Sequence, residues 1–188
     1  MFPKKNFEGQ TYDFDHLTPL RLVIQLGDEP ISAKVKFGCH CFTESFDESK
    51  HQDHHRYSYK GELRAFDKTR YELSLELPRL IQEELISGKI YKSEDSYTYL
   101  AHLPVMVNGV KASTYPVFFA IEKDKSTEKK GVVIFVKSAY LKEDMRFAPN
   151  AMSWRFKGLV AEFVGMGAAK GKPRPKKQKG SRRTPLGA

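Results

Sequence analysis

The sequence predicts an α+β fold built around an antiparallel sheet. Near the N-terminus, one strand-like stretch is followed by another in which apolar and polar residues alternate, and three β-rich stretches follow one another in the second half. Apolar residues elsewhere recur at three- and four-residue spacing, which is typical of short amphipathic helices. The chain has 188 residues and a hydrophobic fraction of 40%. That is enough material for one core, so we expect a single globular domain over 1–167 and a tail over 168–188.

An N-terminal hairpin explains the first observation. Residues 20–26 have the composition of a strand, and residues 27–30 form a Gly-Asp-Glu-Pro turn cluster. Residues 33–42 then alternate, which puts Cys39 on an apolar face and His40 on the opposite, polar face. The two stretches are therefore predicted to pair.

The middle of the chain is predicted to contain a loop, a strand and a helix. Residues 44–60 are polar and lack periodicity, which is typical of a loop. Residues 70–77 alternate between polar residues and Tyr or Leu, which favours a strand. Pro78 suits the first turn of a helix, and apolar residues follow at helical spacing until Ser87 and Gly88 end the pattern.

A three-stranded meander explains the last β-rich stretches. Residues 96–107 and 110–121 flank an Asn-Gly pair, which favours a type I′ hairpin turn because both residues tolerate positive φ. Residues 131–136 are apolar enough for a central strand. A terminal helix is predicted over 152–166, closed by glycine.

The positive charge of the chain is concentrated in its tail. The chain has 32 basic and 23 acidic residues, and eight of the basic ones lie after residue 167, where no acidic residue occurs. Removing these eight leaves 24 basic against 23 acidic residues, so the body is nearly neutral. The tail lacks large apolar runs and is predicted to be disordered and to bind the phosphate backbone of a nucleic acid. Its basic residues are Lys170, Lys172, Arg174, Lys176, Lys177, Lys179, Arg182 and Arg183.

Composition and missing motifs exclude several classes of protein. No apolar stretch approaches the roughly 20 residues of a membrane helix, and the N-terminus lacks a secretory signal, so we expect a soluble cytoplasmic protein. The sequence contains no Walker phosphate loop, dinucleotide glycine fingerprint, nucleophile elbow or helical His-Glu-x-x-His. We therefore expect no bound cofactor.

Zinc binding is an alternative that the cysteines leave open. Cys39, His40 and Cys41 precede three further histidines, His51, His54 and His55, and thiolates and imidazoles are common zinc ligands. The cysteines share the apolar strand face, however, which favours buried small side chains over metal ligands. We assign no metal ligands from the sequence.

Four of the six candidate catalytic residues lie at or soon after the end of the last apolar strand. Lysine and arginine there would stabilise negative charge on a phosphodiester, and hydroxyl groups would hydrogen-bond its oxygens. Two histidines on predicted strands would carry the protons. The alternative is that the charges are solvated and the aromatic residues close the core. The candidates are His40, His102, Lys137, Ser138, Tyr140 and Arg146.

Aromatic and basic residues are also interleaved between residues 57 and 66. Such side chains stack on the bases of single-stranded nucleic acids. The same pattern is typical of a half-exposed strand, which is the alternative. The residues concerned are Tyr57, Tyr59, Lys60, Arg64 and Phe66.

Residues 77–150 resemble the barnase–EndoU–colicin–RelE class of ribonuclease folds. The resemblance lies in a helix, a meander and a last strand that runs into Val-Lys-Ser-Ala-Tyr. It implies metal-independent cleavage of RNA, as in many bacterial and phage toxins. By position, it assigns roles to Lys137, Ser138 and Tyr140.

Two functions follow as hypotheses. The first is a toxin-like ribonuclease whose tail raises its affinity for RNA, with an antitoxin as a possible type of protein partner. The second is a non-catalytic nucleic-acid-binding or accessory protein, for example from a mobile element. Attachment of the tail to ribosomal RNA or to a membrane surface, or a role of the tail as a nuclear-type address, is also compatible with its composition.

Overall fold

The computed structural model describes residues 1–92, 99–107, 110–126, 130–141 and 152–167. The predicted Asn-Gly turn and the basic tail lie outside these residues. The strands are β1 (Lys5–Phe7), β2 (Gln10–Tyr12), β3 (Leu20–Leu26), β4 (Glu29–His40), β5 (Thr43–Ser45), β6 (Arg56–Tyr59), β7 (Glu62–Phe66), β8 (Lys89–Lys92), β9 (Tyr99–Val107), β10 (Val110–Lys123), β11 (Gly131–Ala139) and β12 (Ser153–Arg155). The α-helices are α1 (Lys68–Ser74), α2 (Leu77–Leu80) and α3 (Phe156–Phe163).

A seven-stranded mixed sheet forms the centre of this α+β fold. Its strand order is β12-β8-β9-β10-β11-β4-β3. The predicted N-terminal hairpin is confirmed as β3 and β4, and the predicted meander as β9, β10 and β11. The two units join because β11 pairs with β4 in parallel. This parallel contact was not predicted from the sequence.

The two faces of the sheet have different surroundings. On β4, Val35 and Phe37 point into the core, whereas Lys36 and His40 point to the opposite side, which we term the outer face. On β11, Ile134 is fully buried while Phe135 remains partly exposed. The outer face is therefore open to solvent along the middle of the sheet.

The helices cover the core face. α2 has Pro78 in its first turn, as predicted, and continues into a π-helical turn, Ile81–Leu85. Its apolar side chains are fully buried, and on α3 Phe156 packs 5.9 Å from Phe119 between ring centroids. α3 ends at Phe163, and Gly165, which has a φ of 75°, supplies the left-handed residue that follows many helices. The predicted terminal helix is confirmed only from Phe156 onwards, because β12 occupies the residues before it.

The prediction of a strand over 70–77 is wrong. Most of this stretch is helical, and Asp67 caps α1 by accepting a hydrogen bond from the Arg70 backbone N–H at 3.0 Å. Leu73 and Leu77 are buried and four residues apart, while Leu75 is 47% exposed. The alternation of apolar residues was therefore also compatible with one face of a helix.

The prediction of a loop over 44–60 is wrong in part. This stretch contains β6 and the end of β5, which pair with β7 in a three-stranded sheet in the order β5-β7-β6. Aromatic contacts attach this sheet to the N-terminal segment, including Phe14 against Tyr57 with 5.6 Å between centroids. Phe2 packs 4.8 Å from Tyr59 in the same cluster. These contacts hold the β6–β7 hairpin beside the end of β4.

Within the part of the chain that the structure describes, no helix has the length and apolar character needed to cross a membrane. Cys39 and Cys41 are free thiols, and both are buried.

The half-buried His16 predicts a dependence of stability on pH. His16 Nε2 donates to Ser74 Oγ at 2.8 Å, and burial lowers the pKa of this imidazole from 6.5. The unfolded chain therefore takes up a proton at higher pH than the folded chain. The stabilising contribution is complete above about pH 6.5 and is lost as the pH falls through the lower folded-state pKa.

We expect the melting temperature to fall between about pH 7.5 and about pH 5. His16→Gln keeps a hydrogen-bond donor but removes the titration, so its melting temperature should fall less over the same range. Thermal unfolding followed by circular dichroism measures the melting temperatures of the wild type and of His16→Gln. An equal decrease in the two proteins would contradict this role of His16.

Candidate functional site

A pocket opens on the outer face where β4 and β11 end. Its volume is about 630 Å³. Because the two strands are parallel, their C-terminal residues meet at one edge of the sheet, so His40 and Lys137 line the same cavity. The turn between β6 and β7 forms a second wall, which Tyr59 and Glu62 contribute.

Two irregularities in strand pairing lie at this edge. The β4–β11 register shifts between the pairs Phe37–Val136 and His40–Ser138. The β10–β11 register shifts at the same level, which leaves Lys137 as an extra residue on β11. β-Bulges of this kind redirect side chains and are frequent next to functional sites.

Gly38 allows β4 and β11 to approach closely at these bulges. A Cβ atom at this position would lie 2.8 Å from the Lys137 carbonyl oxygen and 3.3 Å from the Phe135 ring. Both neighbours belong to β11, and the first is backbone. The absence of a side chain at Gly38 is therefore required by the shape of the pocket floor.

A tight turn brings Glu62 to the pocket. Lys60 and Gly61 connect β6 to β7, with φ values of 51° and 83°. Positive φ at both central residues is the requirement of a type I′ turn, which matches the twist of a two-residue hairpin. Tyr59, Lys60 and Glu62 consequently all line the pocket.

His40 and Glu62 form an ion-pair network with Arg64. His40 Nε2 lies 3.1 Å from Glu62 Oε1, and Arg64 Nη1 donates to the same oxygen at 2.8 Å. Hydrogen bonding from Arg64 lowers the pKa of Glu62, and His40 adds to this effect. Since the carboxylate accepts the Nε2 proton, a neutral His40 ring presents Nδ1 as its proton acceptor.

Arg64 is held rigidly beneath this network. Its side chain is 9% exposed, and its Nε donates to Thr43 Oγ1 at 2.9 Å. Thr43 Oγ1 in turn donates to the Cys39 carbonyl oxygen at 2.7 Å. The orientation of Glu62 is thereby coupled to the end of β4.

Tyr140 forms an aromatic wall of the pocket. Its ring stacks on Phe118 with 5.7 Å between centroids and an interplanar angle of 17°. The Arg70 guanidinium lies 4.5 Å from the Tyr140 ring centroid, and Asp67 pairs with Arg70 at 3.3 Å. α1 therefore supports this wall through a cation–π contact.

The pocket includes four of the six predicted catalytic residues: His40, Lys137, Ser138 and Tyr140. His102 lies on β9, where it pairs with Pro116, and it does not line the pocket. Three strand spacings separate β4 from β9, or about 14 Å. Arg146 and the tail residues lie outside the described residues.

Glu62 was not among the residues predicted from the sequence, because residues 57–66 were interpreted as a site of base stacking or a half-exposed strand. Of the residues predicted to stack bases, Tyr59 and Lys60 line the pocket, whereas Tyr57 and Phe66 are buried. A Lys-Gly pair between two β-rich stretches was the available signal for the turn.

The zinc set considered from the sequence does not converge in the structure. Cys41 is fully buried, and burial raises its thiol pKa to about 12. His51 pairs with Glu44 at 2.8 Å, while His54 and His55 pack against Phe7. Two members of that set, Cys39 and His40, converge instead with Glu62: the donor atoms of these three side chains lie within 4.8 Å of one another.

A sequence model of the YjaZ family matches residues 4–164. The chain belongs to the YjaZ family. The matched range extends from the first strand to α3 and includes every residue that lines the pocket, whereas the tail lies beyond it. No match to a curated protein or to a solved structure reaches significance.

Gly38→Ala tests the geometry of the pocket in this YjaZ-family protein. The added methyl group would press on the Lys137 carbonyl oxygen, so the strands must separate locally. We expect a destabilisation of about 1–3 kcal/mol, the usual range for overpacking. Urea unfolding of the wild type and the variant measures this difference in the free energy of unfolding. A Gly38→Ala protein as stable as the wild type would contradict this role of Gly38.

Proposed function

We propose that this protein binds RNA and cleaves it without a metal ion, with His40 as the group that accepts a proton. The observation that carries the proposal is the pairing of His40 with Glu62 at 3.1 Å in a pocket that Lys137 and aromatic side chains also line. A histidine oriented by a carboxylate is a common general base.

The proposed reaction is an internal transfer of the phosphoryl group. His40 Nδ1 takes the proton of the ribose 2′-hydroxyl, whose oxygen attacks the adjacent phosphorus. The bond to the 5′-oxygen breaks, and that oxygen takes a proton from Lys60. Lys137 stabilises the charge on the phosphoryl oxygens. His40 then releases the accepted proton to water, and Lys60 takes up a proton from water. The products are a 2′,3′-cyclic phosphate and a 5′-hydroxyl end.

Two further features support a nucleic-acid ligand. The partly exposed Phe135 and the pair Phe118–Tyr140 present aromatic surface in the pocket, on which bases would stack. A second cavity on the outer face is lined by four lysines and two acidic residues, so positive charge is in excess there: Lys34, Lys36, Lys123 and Lys125 with Glu122 and Asp124. Together with the tail, this surface would follow the phosphate backbone.

A non-catalytic role is the second candidate. It is favoured by the position of His102, because the pocket then has no second histidine to act as the acid. In this case the body would bind RNA or a protein partner such as an antitoxin, and the tail would bind phosphate. In both cases we place the protein in the cytoplasm, whose reducing conditions suit its two free thiols.

Cleavage of a fluorescent single-stranded RNA by the full chain, in excess EDTA, tests the first candidate. We expect His40→Gln to slow cleavage at least about 100-fold, the usual contribution of a general base. His102→Gln, purified in the same way, is the matched control and should cleave at the wild-type rate. Product ends should be cyclic phosphates. No cleavage by the wild type, or equal cleavage by His40→Gln, would overturn the enzymatic proposal.

Fluorescence anisotropy with the same RNA separates binding from cleavage. Lys60→Asn removes a charge at the pocket but suits a turn with positive φ, so it should weaken binding without lowering the melting temperature. Replacing the eight basic tail residues with glutamine in the full chain should flatten the salt dependence of binding. Tight binding without turnover would favour the non-catalytic candidate.

A further inference from the structure

Cys39, His40 and Glu62 bring three different metal-ligating groups together in the pocket. Their donor atoms all lie within 4.8 Å of one another. His40 Nε2 is 3.1 Å from Glu62 Oε1 and 3.3 Å from Glu62 Oε2. The three residues line the same cavity, so an ion from solvent can reach them.

We propose that these three side chains form a binding site for a divalent ion of the zinc class, and that the bound ion inhibits the protein. A thiolate, an imidazole and a carboxylate are the ligand types that zinc prefers. Three protein ligands leave a fourth coordination position, which here would face the pocket and take water.

The site needs only a small contraction to bind the ion. Zinc bonds of about 2.0–2.3 Å place tetrahedral donor atoms about 3.3–3.8 Å apart. Cys39 and His40 lie at the bulged end of β4, and Glu62 follows the two-residue turn. The side chains of His40 and Glu62 are 39% and 49% exposed, so both have room to adjust.

Arg64 is compatible with the bound ion. It donates to Glu62 Oε1, which leaves Oε2 available as the ligand atom. A hydrogen bond from a neighbouring residue to a ligating carboxylate is common around metal sites, where it orients the ligand. The Cys39 thiol releases its proton to solvent when the ion binds.

Inhibition would follow from the two nitrogens of His40, and this consequence rests on the proposed function. In the free protein Nε2 carries the proton and faces Glu62, and Nδ1 accepts a proton from substrate. An ion that binds Nε2 uses the lone pair of this nitrogen, so the ring proton must lie on Nδ1 instead. His40 can then no longer act as a base.

Titration of the reduced, EDTA-treated full chain with Co²⁺ tests the binding site. We expect one equivalent to give the charge-transfer absorption of a thiolate–cobalt bond, and Zn²⁺ to displace it. Cys39→Ser should remove the absorption. Glu62→Gln, a change at an exposed side chain that should leave folding intact, should weaken Co²⁺ binding at least about 10-fold.

Cys41→Ser is the matched control, because this second thiol is fully buried and donates a hydrogen bond to the Val136 carbonyl oxygen at 3.8 Å. It should keep the absorption. No absorption with the wild type, or absorption retained in Cys39→Ser, would overturn the site.

Inhibition is measured by the ratio of RNA cleavage rates with and without one equivalent of Zn²⁺. The wild-type rate should fall at least about 10-fold, whereas the ratio should stay near one for Cys39→Ser. Cobalt binding by a protein that cleaves no RNA would support the metal site and overturn the proposed function. Cleavage unaffected by bound zinc would overturn the inhibition alone.

Discussion

The parallel pairing of β4 with β11 is the constraint on which the rest of the site depends. It joins a hairpin near the N-terminus to a meander that begins about sixty residues later. Since parallel strands end at the same edge of a sheet, His40 and Lys137 line the same cavity. The pairing tolerates two register shifts there because Gly38 carries no side chain.

The buried guanidinium of Arg64 positions the charged side chains of the pocket. Arg64 is fixed by Thr43 and holds Glu62, and Glu62 in turn orients His40. The same carboxylate has two possible uses: it positions His40 as a base, or it ligates an ion together with Cys39. These uses compete for His40, which explains how one small pocket would combine a reaction with its inhibition.

Local patterns of apolar and polar residues predicted much of the fold and part of the site. The features that were not predicted depend on contacts between residues distant in the sequence. Alternation along 33–42 placed His40 on the open face, and the apolar run of β11 placed Lys137 at its end. Glu62 was missed because its importance comes from packing of a separate small sheet against the N-terminal aromatic residues. The helical stretch over 70–77 was misread because Leu73 and Leu77 belong to the alternating series but are also four residues apart, and so share one face of a helix. The cap at Asp67 favours the helix.

The most direct test of the account is a crystal structure of the full chain with a short RNA whose ribose 2′-hydroxyl next to the target phosphate is replaced by a methoxy group. The substitution blocks the attacking oxygen and so prevents cleavage. The account predicts a phosphate within hydrogen-bonding distance of Lys137, the methoxy oxygen next to His40 Nδ1, and a base stacked on Tyr140 or Phe118. An RNA bound away from an empty pocket would contradict it.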